Sequence, residues 1–438
     1  MAKNGISGLN QSKYDYVTLA IIGAVALEGL IGLLGRYVLF ADGSYMTLSI
    51  AKTQTYFLMP IEWNRAISYV ISELGPVVGA NFSHVNLSQI VFAYGITAIF
   101  LPGLLLILAI WHIRENKFSI IIGLIAVFGF GSSLLIGVST SLIGTTLNFI
   151  FVAIIWNTYN KKKQLNMSTC LIFPLLALTG DAYILFVPTF ILIVVFASRR
   201  RTNLKSRVTH LTGVFLGACI NFANFLQRSQ GVNVNRATNN ALNVFALFSD
   251  RSLICLGLGT LFCAIAILMS YKMRISFGLS GIIFAILGIL NGPSSGHEIF
   301  QARYLFPLAL SCVVALAVIV DRFYNKEFNS TQLRYVWVPL VILPLLLFNQ
   351  LQVSMKFNSM LSKLQKSTVG CQQPKNHSQI GLTYQEAEFS WDYTTPSLSR
   401  ILWLDAHSCL VKNANPALWE PFTPSNVDPL GKPIYWKR

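Results

Sequence analysis

Asp42 is the residue around which a chemical reading of this chain forms. It lies about one helical turn past the first apolar run, in FADGSYMTLSIAKTQTYFLMPIEWNRA (Phe40–Ala66), where acids, bases and aromatics first gather. A carboxylate in that place can take the proton of a hydroxyl brought to it, or can do no more than end the preceding helix in water. Glu62, later in the same loop, and Asp181, in LTGDAY, are the acids that can join it as a second carboxylate. Asp181 can equally be the N-cap of the helix that follows. Gly43 offers the backbone a turn beside Asp42.

The basic residues suggest the other half of the chemistry. Arg303 stands beside Tyr304 in GHEIFQARYLFPLAL (Gly296–Leu310). A guanidinium there can hold a phosphate by two parallel hydrogen bonds; it can also snorkel to a membrane interface or pair with Glu298. Arg228 and Arg236, in the asparagine-rich stretch 227–251, and Lys52 in the opening loop are further cations able to meet an anion. His297, Glu298, Arg65 and Trp63 are candidate contacts to the rest of a substrate. The seven cysteines show no metal-ligand spacing, and no tight group of carboxylates stands where it would hold an ion. Neither a metal nor a cofactor is expected. Cys371 and Cys409 lie in a polar C-terminal segment, where they can form a disulfide in an oxidising compartment or remain thiols.

Composition says what kind of element must position these groups. Of 438 residues, 54% are hydrophobic and 11% charged, against about 25% charged in a soluble domain. Mean hydropathy is +0.57. Apolar runs recur that are long enough to cross a hydrocarbon core of roughly 30 Å. The fold class expected is an all-α polytopic membrane protein with about eleven spans. They cover Val17–Phe40, Leu87–Ile113, Phe118–Val138, Leu142–Tyr159, a short pair Ser168–Thr179 and Ala182–Ala197, Val208–Phe225, Leu253–Ser270, Ile275–Leu290, Tyr304–Val320 and Tyr335–Leu351. The first run is too long for the core of a cleavable signal peptide.

The net charge of +16 does not call for nucleic acid. Lysines and arginines cluster in the short loops that alternate along the chain, as the positive-inside rule requires of cytoplasmic loops. With the N-terminus cytoplasmic, Asp42, the tip at Asp181, the stretch 227–251, the loop before Arg303 and the tail all face outward. The apolar spacing from Leu48 to Leu74, broken at Pro60, reads as amphipathic helices on the membrane surface, with Trp63 and Tyr69 at headgroup depth. The domains expected are a membrane module over 1–352, its first outer loop at 41–86, and a small outer domain over 353–438. That domain is proline-rich and mostly irregular, with strands near Arg400–Leu404. An anionic lipid head, above all a polyprenyl phosphate, is the natural partner for outward cations at this depth.

Together these features resemble the GT-C superfamily of integral membrane glycosyltransferases. Three features carry the resemblance. Asp42 follows the first span in a long outer loop. Gln301–Pro307 (QARYLFP) is similar to an R-Y-x-x-P pattern near a late span. The many-span plan with an outer C-terminal domain is close to the bacterial and phage O-antigen-modifying glucosyltransferases. The resemblance implies a polyprenyl-phosphate sugar donor, a glycan or glycolipid acceptor, and inverting displacement with Asp42 as base and Arg303 on the leaving phosphate. It also implies an inner-membrane enzyme facing the periplasm, supplied by a polyprenyl-phosphate glycosyl synthase and a flippase. The superfamily's paired acids are not adjacent here: the acid after Asp42 is Glu62. Two other readings are an O-antigen ligase or polymerase, whose long loop would lie between late spans, and a lipid-linked oligosaccharide flippase. A flippase would show polar groups at mid-membrane and often repeated halves.

Overall fold

The structure, a computed structural model, describes residues 3–57, 60–82, 85–116, 118–136, 140–161, 165–197, 204–229, 250–268, 271–292, 296–323, 337–368 and 375–383, with residues 386, 389, 397–398, 401–402 and 411–412 of the remaining tail. Helices dominate. α1 (Lys3–Leu34) leads through a 3-10 turn (Tyr37–Leu39) into α2 (Asp42–Thr53); a second turn (Pro60–Arg65) opens α3 (Ala66–Asn81). α4 (Leu87–Gly95) continues through a π turn (Ile96–Phe100) into α5 (Leu101–Ile113). α6 (Ser119–Ser133), α7 (Thr140–Asn160), α8 (Ile172–Ala177), α9 (Ala182–Leu192) and α10 (Leu204–Ser229) follow. The bundle closes with α11 (Arg251–Leu268), α12 (Tyr271–Leu290), α13 (Gly296–Phe323) and α14 (Trp337–Thr368).

This is a multi-pass all-α membrane protein. Seven helical stretches among the described residues are long and apolar enough to span: Asp15–Leu34, Leu87–Ile113, Thr140–Asn160, Arg251–Leu268, Met273–Leu290, Arg303–Phe323 and Trp337–Ser367. Three shorter apolar helices, Ser119–Ser133, Ser168–Ala177 and Ala182–Phe196, coincide with expected spans. α10, at the place of the expected seventh, lacks a sufficiently apolar window. It carries Lys205, Arg207, His210, Asn221 and Asn224, the last three of them buried. Large apolar side chains such as Leu108, Leu261, Ile283, Leu316 and Phe348 stand exposed around the bundle, as lipid-facing positions require.

The short length of α6 has a physical reason. All of it but Ser132 is buried, enclosed by α1, α5, α11, α13 and α14, so no lipid contact fixes its length. α11 and α12 form the tightest pair, where Gly259 and Gly281 let the backbones approach: a Cβ on either would meet backbone at 2.8 Å. Polar side chains also cross between helices. The Ser311 hydroxyl donates to the Leu185 carbonyl at 2.6 Å, and that of Ser252 to Gly288 at 2.8 Å.

The composition change at Val353 does not mark a break. α14 runs unbroken to Thr368, and part of the tail docks on its far half. Glu386 accepts from Lys363 Nζ at 2.7 Å, from the Ser359 hydroxyl at 3.0 Å and from both the amide and hydroxyl of Thr383 at 2.9 Å. Phe389 closes on Phe357. A two-residue parallel pair joins Lys375–Asn376 to Val411–Lys412. The strand expected near Arg400–Leu404 is not found over its described part: Ile401 is helical, and the Leu402 amide donates to the Leu398 carbonyl. Cys371 and Cys409 lie outside the described residues.

Burial by itself would raise the Glu386 carboxyl, but the Lys363 ammonium and the Thr383 and Ser359 donors overcome that and hold it at about 2. A depressed carboxylate contributes stability above its ordinary value of 4.5 that is lost as pH falls through the folded value. The docked tail should therefore become protease-sensitive as pH drops from about 4.5 toward 2, and Glu386→Gln should show that sensitivity already at pH 7. Limited proteolysis with an acid-tolerant protease, followed by mass analysis, reads both; equal cleavage of wild type and variant at pH 7 would count against this dock.

Candidate functional site

The first loop is fastened to the turn between α8 and α9 by a set of buried polar contacts. Arg65 Nη2 lies 2.7 Å from Asp181 Oδ2. Beside it the Ile67 amide donates to the Leu178 carbonyl at 3.1 Å, and the Ser68 hydroxyl to Thr179 at 2.9 Å. Asn64 Nδ2 donates to Asn221 Oδ1 at 3.2 Å, and Asn221 Nδ2 donates onward to the Ala177 carbonyl at 2.6 Å. Asn148 of α7 donates to the Thr179 hydroxyl at 2.9 Å. Gly180 makes this fit possible: its φ is +92°, and a Cβ there would lie 2.9 Å from Arg65 Cγ. Asp181 stands at the N-cap position of α9, but its side chain makes no capping bond. The carboxylate serves Arg65 instead.

Against this anchor α3 is built inside out. Val70, Leu74 and Val78, at four-residue spacing, are exposed, while Ser68, Tyr69, Ser72 and Glu73 are buried. The apolar stripe is exposed and the polar stripe faces protein. Tyr69, expected at headgroup depth, is therefore only 4% exposed, whereas Trp63 is 38% exposed. α4 is started by a reciprocal cap, in which Asn86 accepts from the Gln89 amide and Gln89 from the Asn86 amide. It lies along α3, where the Thr97 hydroxyl donates to the Ser72 carbonyl.

Two carboxyl groups lie within electrostatic range of one tyrosine in this corner. Glu73, Tyr69 and Asp42 all lie near enough to interact electrostatically with the Tyr94 hydroxyl, which donates to Met46 Sδ of α2 at 3.4 Å. Asp42 occupies the first turn of α2, where the helix dipole favours a negative charge. The sharp entry is made at Ala41, with φ +51°, and not at Gly43, which is helical. A non-glycine residue in that region is strained, and here the strain directly precedes the candidate base. Glu73 Oε2 accepts from the Phe57 amide at 2.6 Å; its Oε1 is buried with no hydrogen-bond partner among the described residues. Burial pushes this carboxyl up to about 8, with the Phe57 amide opposing.

Arg303 lies at the same end of the bundle. α13 begins at Gly296, so His297 and Glu298 fall in a helix and not in a connection; their side chains lie outside the described residues. The Arg303 guanidinium sits 4.6 Å over the Tyr304 ring. One turn further, Phe306 packs on Gly129 near the end of α6. α13 touches the 3-10 turn Leu134–Ile136, which touches the Tyr37–Leu39 turn leading to Asp42. The side chains of Lys52, Glu62 and Arg228, and the whole of Arg236, lie outside the described residues.

Glu73 is the member of this site that a reading of the opening loop passes over. The signal was present: Tyr69, Ser72, Glu73 and Pro76 recur at helical spacing opposite the apolar stripe, so one buried face holds an acid. Among the described residues no cluster of three His, Cys, Asp or Glu could hold a metal ion. No protein-family model, curated protein or solved structure matches the chain.

Two measurements probe this corner. A carboxyl raised from 4.5 to about 8 leaves the folded state binding more protons than the unfolded one across that window. Its contribution is complete below 4.5 and is lost as pH rises through 8. The wild-type unfolding temperature in detergent, compared with that of Glu73→Gln, should fall between pH 5 and 8.5; a difference that is flat with pH would contradict the burial of this acid. Gly180→Ala should cost about 1–2 kcal/mol from the left-handed backbone alone, seen as a lowered unfolding temperature. An unchanged value would show that the Arg65–Asp181 latch does not need a glycine at its turn.

Proposed function

We propose that the protein is an integral membrane glycosyltransferase. It moves a sugar from a polyprenyl-phosphate donor to a hydroxyl of a glycan or glycolipid at the outer face of the inner membrane. The observation that carries this reading is the pair of acids within electrostatic range of Tyr94. One is half-buried at a helix N-terminus, which favours its ionised form. The other is buried and pushed up to about 8, so that it keeps its proton at neutral pH. A carboxylate at a helix N-terminus beside a carboxyl that keeps its proton can divide the work of base and acid.

Asp42 then takes the proton of the acceptor hydroxyl as its oxygen bonds to the anomeric carbon. The bond from that carbon to the phosphate oxygen breaks on the opposite face, so the configuration inverts. The departing lipid phosphate carries the electron pair, and Arg303 with Tyr304 meets its charge. A neutral Glu73 leaves Asp42 as the single anion of the corner. The orientation follows from charge. Arg114, Lys161, Lys205, Arg207, Arg274 and Arg322 lie at helix ends opposite Asp42, the cytoplasmic end under the positive-inside rule. The three shorter apolar helices and α10 would complete the expected eleven spans. A polyprenyl-phosphate glycosyl synthase and a flippase would supply the donor.

One observation favours a second reading. Glu28 is an acid buried within α1, and intramembrane acids are characteristic of transporters. A lipid-linked oligosaccharide flippase is therefore the competing assignment. Reconstituted protein given a labelled polyprenyl-phosphate hexose and a crude glycolipid acceptor separates the two. Wild type should transfer label, Asp42→Asn should lose about 10²–10⁴-fold in rate, and Arg303→Ala about 10²–10³-fold. Full activity in Asp42→Asn would remove it as the base. Translocation of intact lipid-linked glycan without transfer would establish the flippase instead.

A further inference from the structure

The helices α1, α6, α11 and α14 line a small cavity, with a few polar groups among apolar ones, that the transfer chemistry does not use. It measures about 30 Å³ and is lined by Glu28, Ser132, Asn349 and Gln350 among apolar side chains that include Leu256 and Leu346. Glu28 is 1% exposed, and neither of its carboxylate oxygens has a hydrogen-bond partner among the described residues. Asn349, 9% exposed, lines the same cavity with its Oδ1 likewise unsatisfied. Gly131 makes the room: a Cβ there would lie 2.5 Å from Glu28 Oε1 and 3.0 Å from Gln350 Nε2. No lysine or arginine lines the cavity among the described residues.

Three unsatisfied acceptor oxygens, on two buried residues that line one small cavity, are a costly arrangement unless something positive sits among them. A single proton would satisfy one oxygen and leave two. Carboxylate and amide oxygens are a hard donor set, suited to hard cations. The charge selects further, because one carboxylate inside a membrane span neutralises one positive charge, and a divalent ion would leave a net charge in the bilayer. The volume also selects. A water needs about 10–15 Å³ by this measure, so the cavity takes a small ion with a water and is too small for a sugar.

We propose that this cavity is a sodium-binding site, with Glu28 and Asn349 as ligands. The ion joins α1 to α14 across α6, neutralises the intramembrane acid and stabilises the bundle. The proposal does not rest on the transferase reading, and it holds equally for a transporter.

The test uses the full-length protein purified in detergent. Wild type should bind about one ²²Na⁺ per molecule, saturably, at constant ionic strength. Its unfolding temperature should rise by at least ~2 °C in sodium chloride over choline chloride at saturating concentration. Glu28→Gln and Asn349→Leu should each abolish or strongly weaken both effects while eluting as monodisperse protein. Wild type that binds no ²²Na⁺ and unfolds at one temperature in both salts overturns the proposal whatever the variants do. Full binding in Glu28→Gln overturns it as well.

Discussion

The structure depends on the hydrogen-bonded seam between residues 64–68 and the turn 177–181. Its members are polar groups that burial would penalise, and they hydrogen-bond across distant parts of the chain. Asn64, Ser68, Thr179 and Asn221 are all 4% exposed or less. In an apolar setting such groups have few alternative partners, so the seam specifies one arrangement and discriminates against others. It brings the first loop, the α8–α9 turn, α7 and α10 to a common point. The Arg65–Asp181 pair stands at its more open edge, with side chains 13% and 35% exposed. There the pair orients the turn more than it adds stability.

The seam also explains how an acid comes to be buried in a helix whose apolar stripe is exposed. Once residues 66–68 are held, the rotation of α3 is set, and its polar stripe has only the protein interior to face. Glu73 is carried inward beside Tyr94, and the apolar stripe is left exposed. The Glu73 carboxyl is raised by burial, with the Phe57 amide opposing. Asp42 meets the positive end of a helix and some solvent, while Glu73 meets burial and a single amide.

Much of this was legible in the chain itself. The ends of most helices match apolar runs to within a few residues, because a span must be apolar over a fixed length. The break at Pro60 and the helices on either side of it also follow from local pattern. Glu73 stood in a legible stripe with Tyr69, Ser72 and Pro76, but apolar spacing reports which face of a helix is greasy and not which face is buried, and here the greasy face is the exposed one. Asp181 has the spacing of a cap and is diverted by an arginine from a distant segment, which no local rule reveals. Tyr69 reads as an interfacial aromatic by type and is buried by the rotation of its helix. The turn into α2 falls at Ala41 although Gly43 is the residue best suited to it, so the constraint there comes from the packing of Tyr37 and Phe40 against Phe357.

α14 has one more consequence. At 1.5 Å per residue its 32 residues form a rod of roughly 48 Å, longer than a hydrocarbon core. Its inner part lines the Glu28 cavity, its middle receives Tyr37 and Phe40, and its outer part holds Glu386 and Phe389. A joint between span and tail would let the two parts turn independently. Because the helix is continuous from Asn349 to Lys363, a twist applied where Glu386 docks would act on the wall of the cavity and on the turn ahead of Asp42, as torque along a shaft.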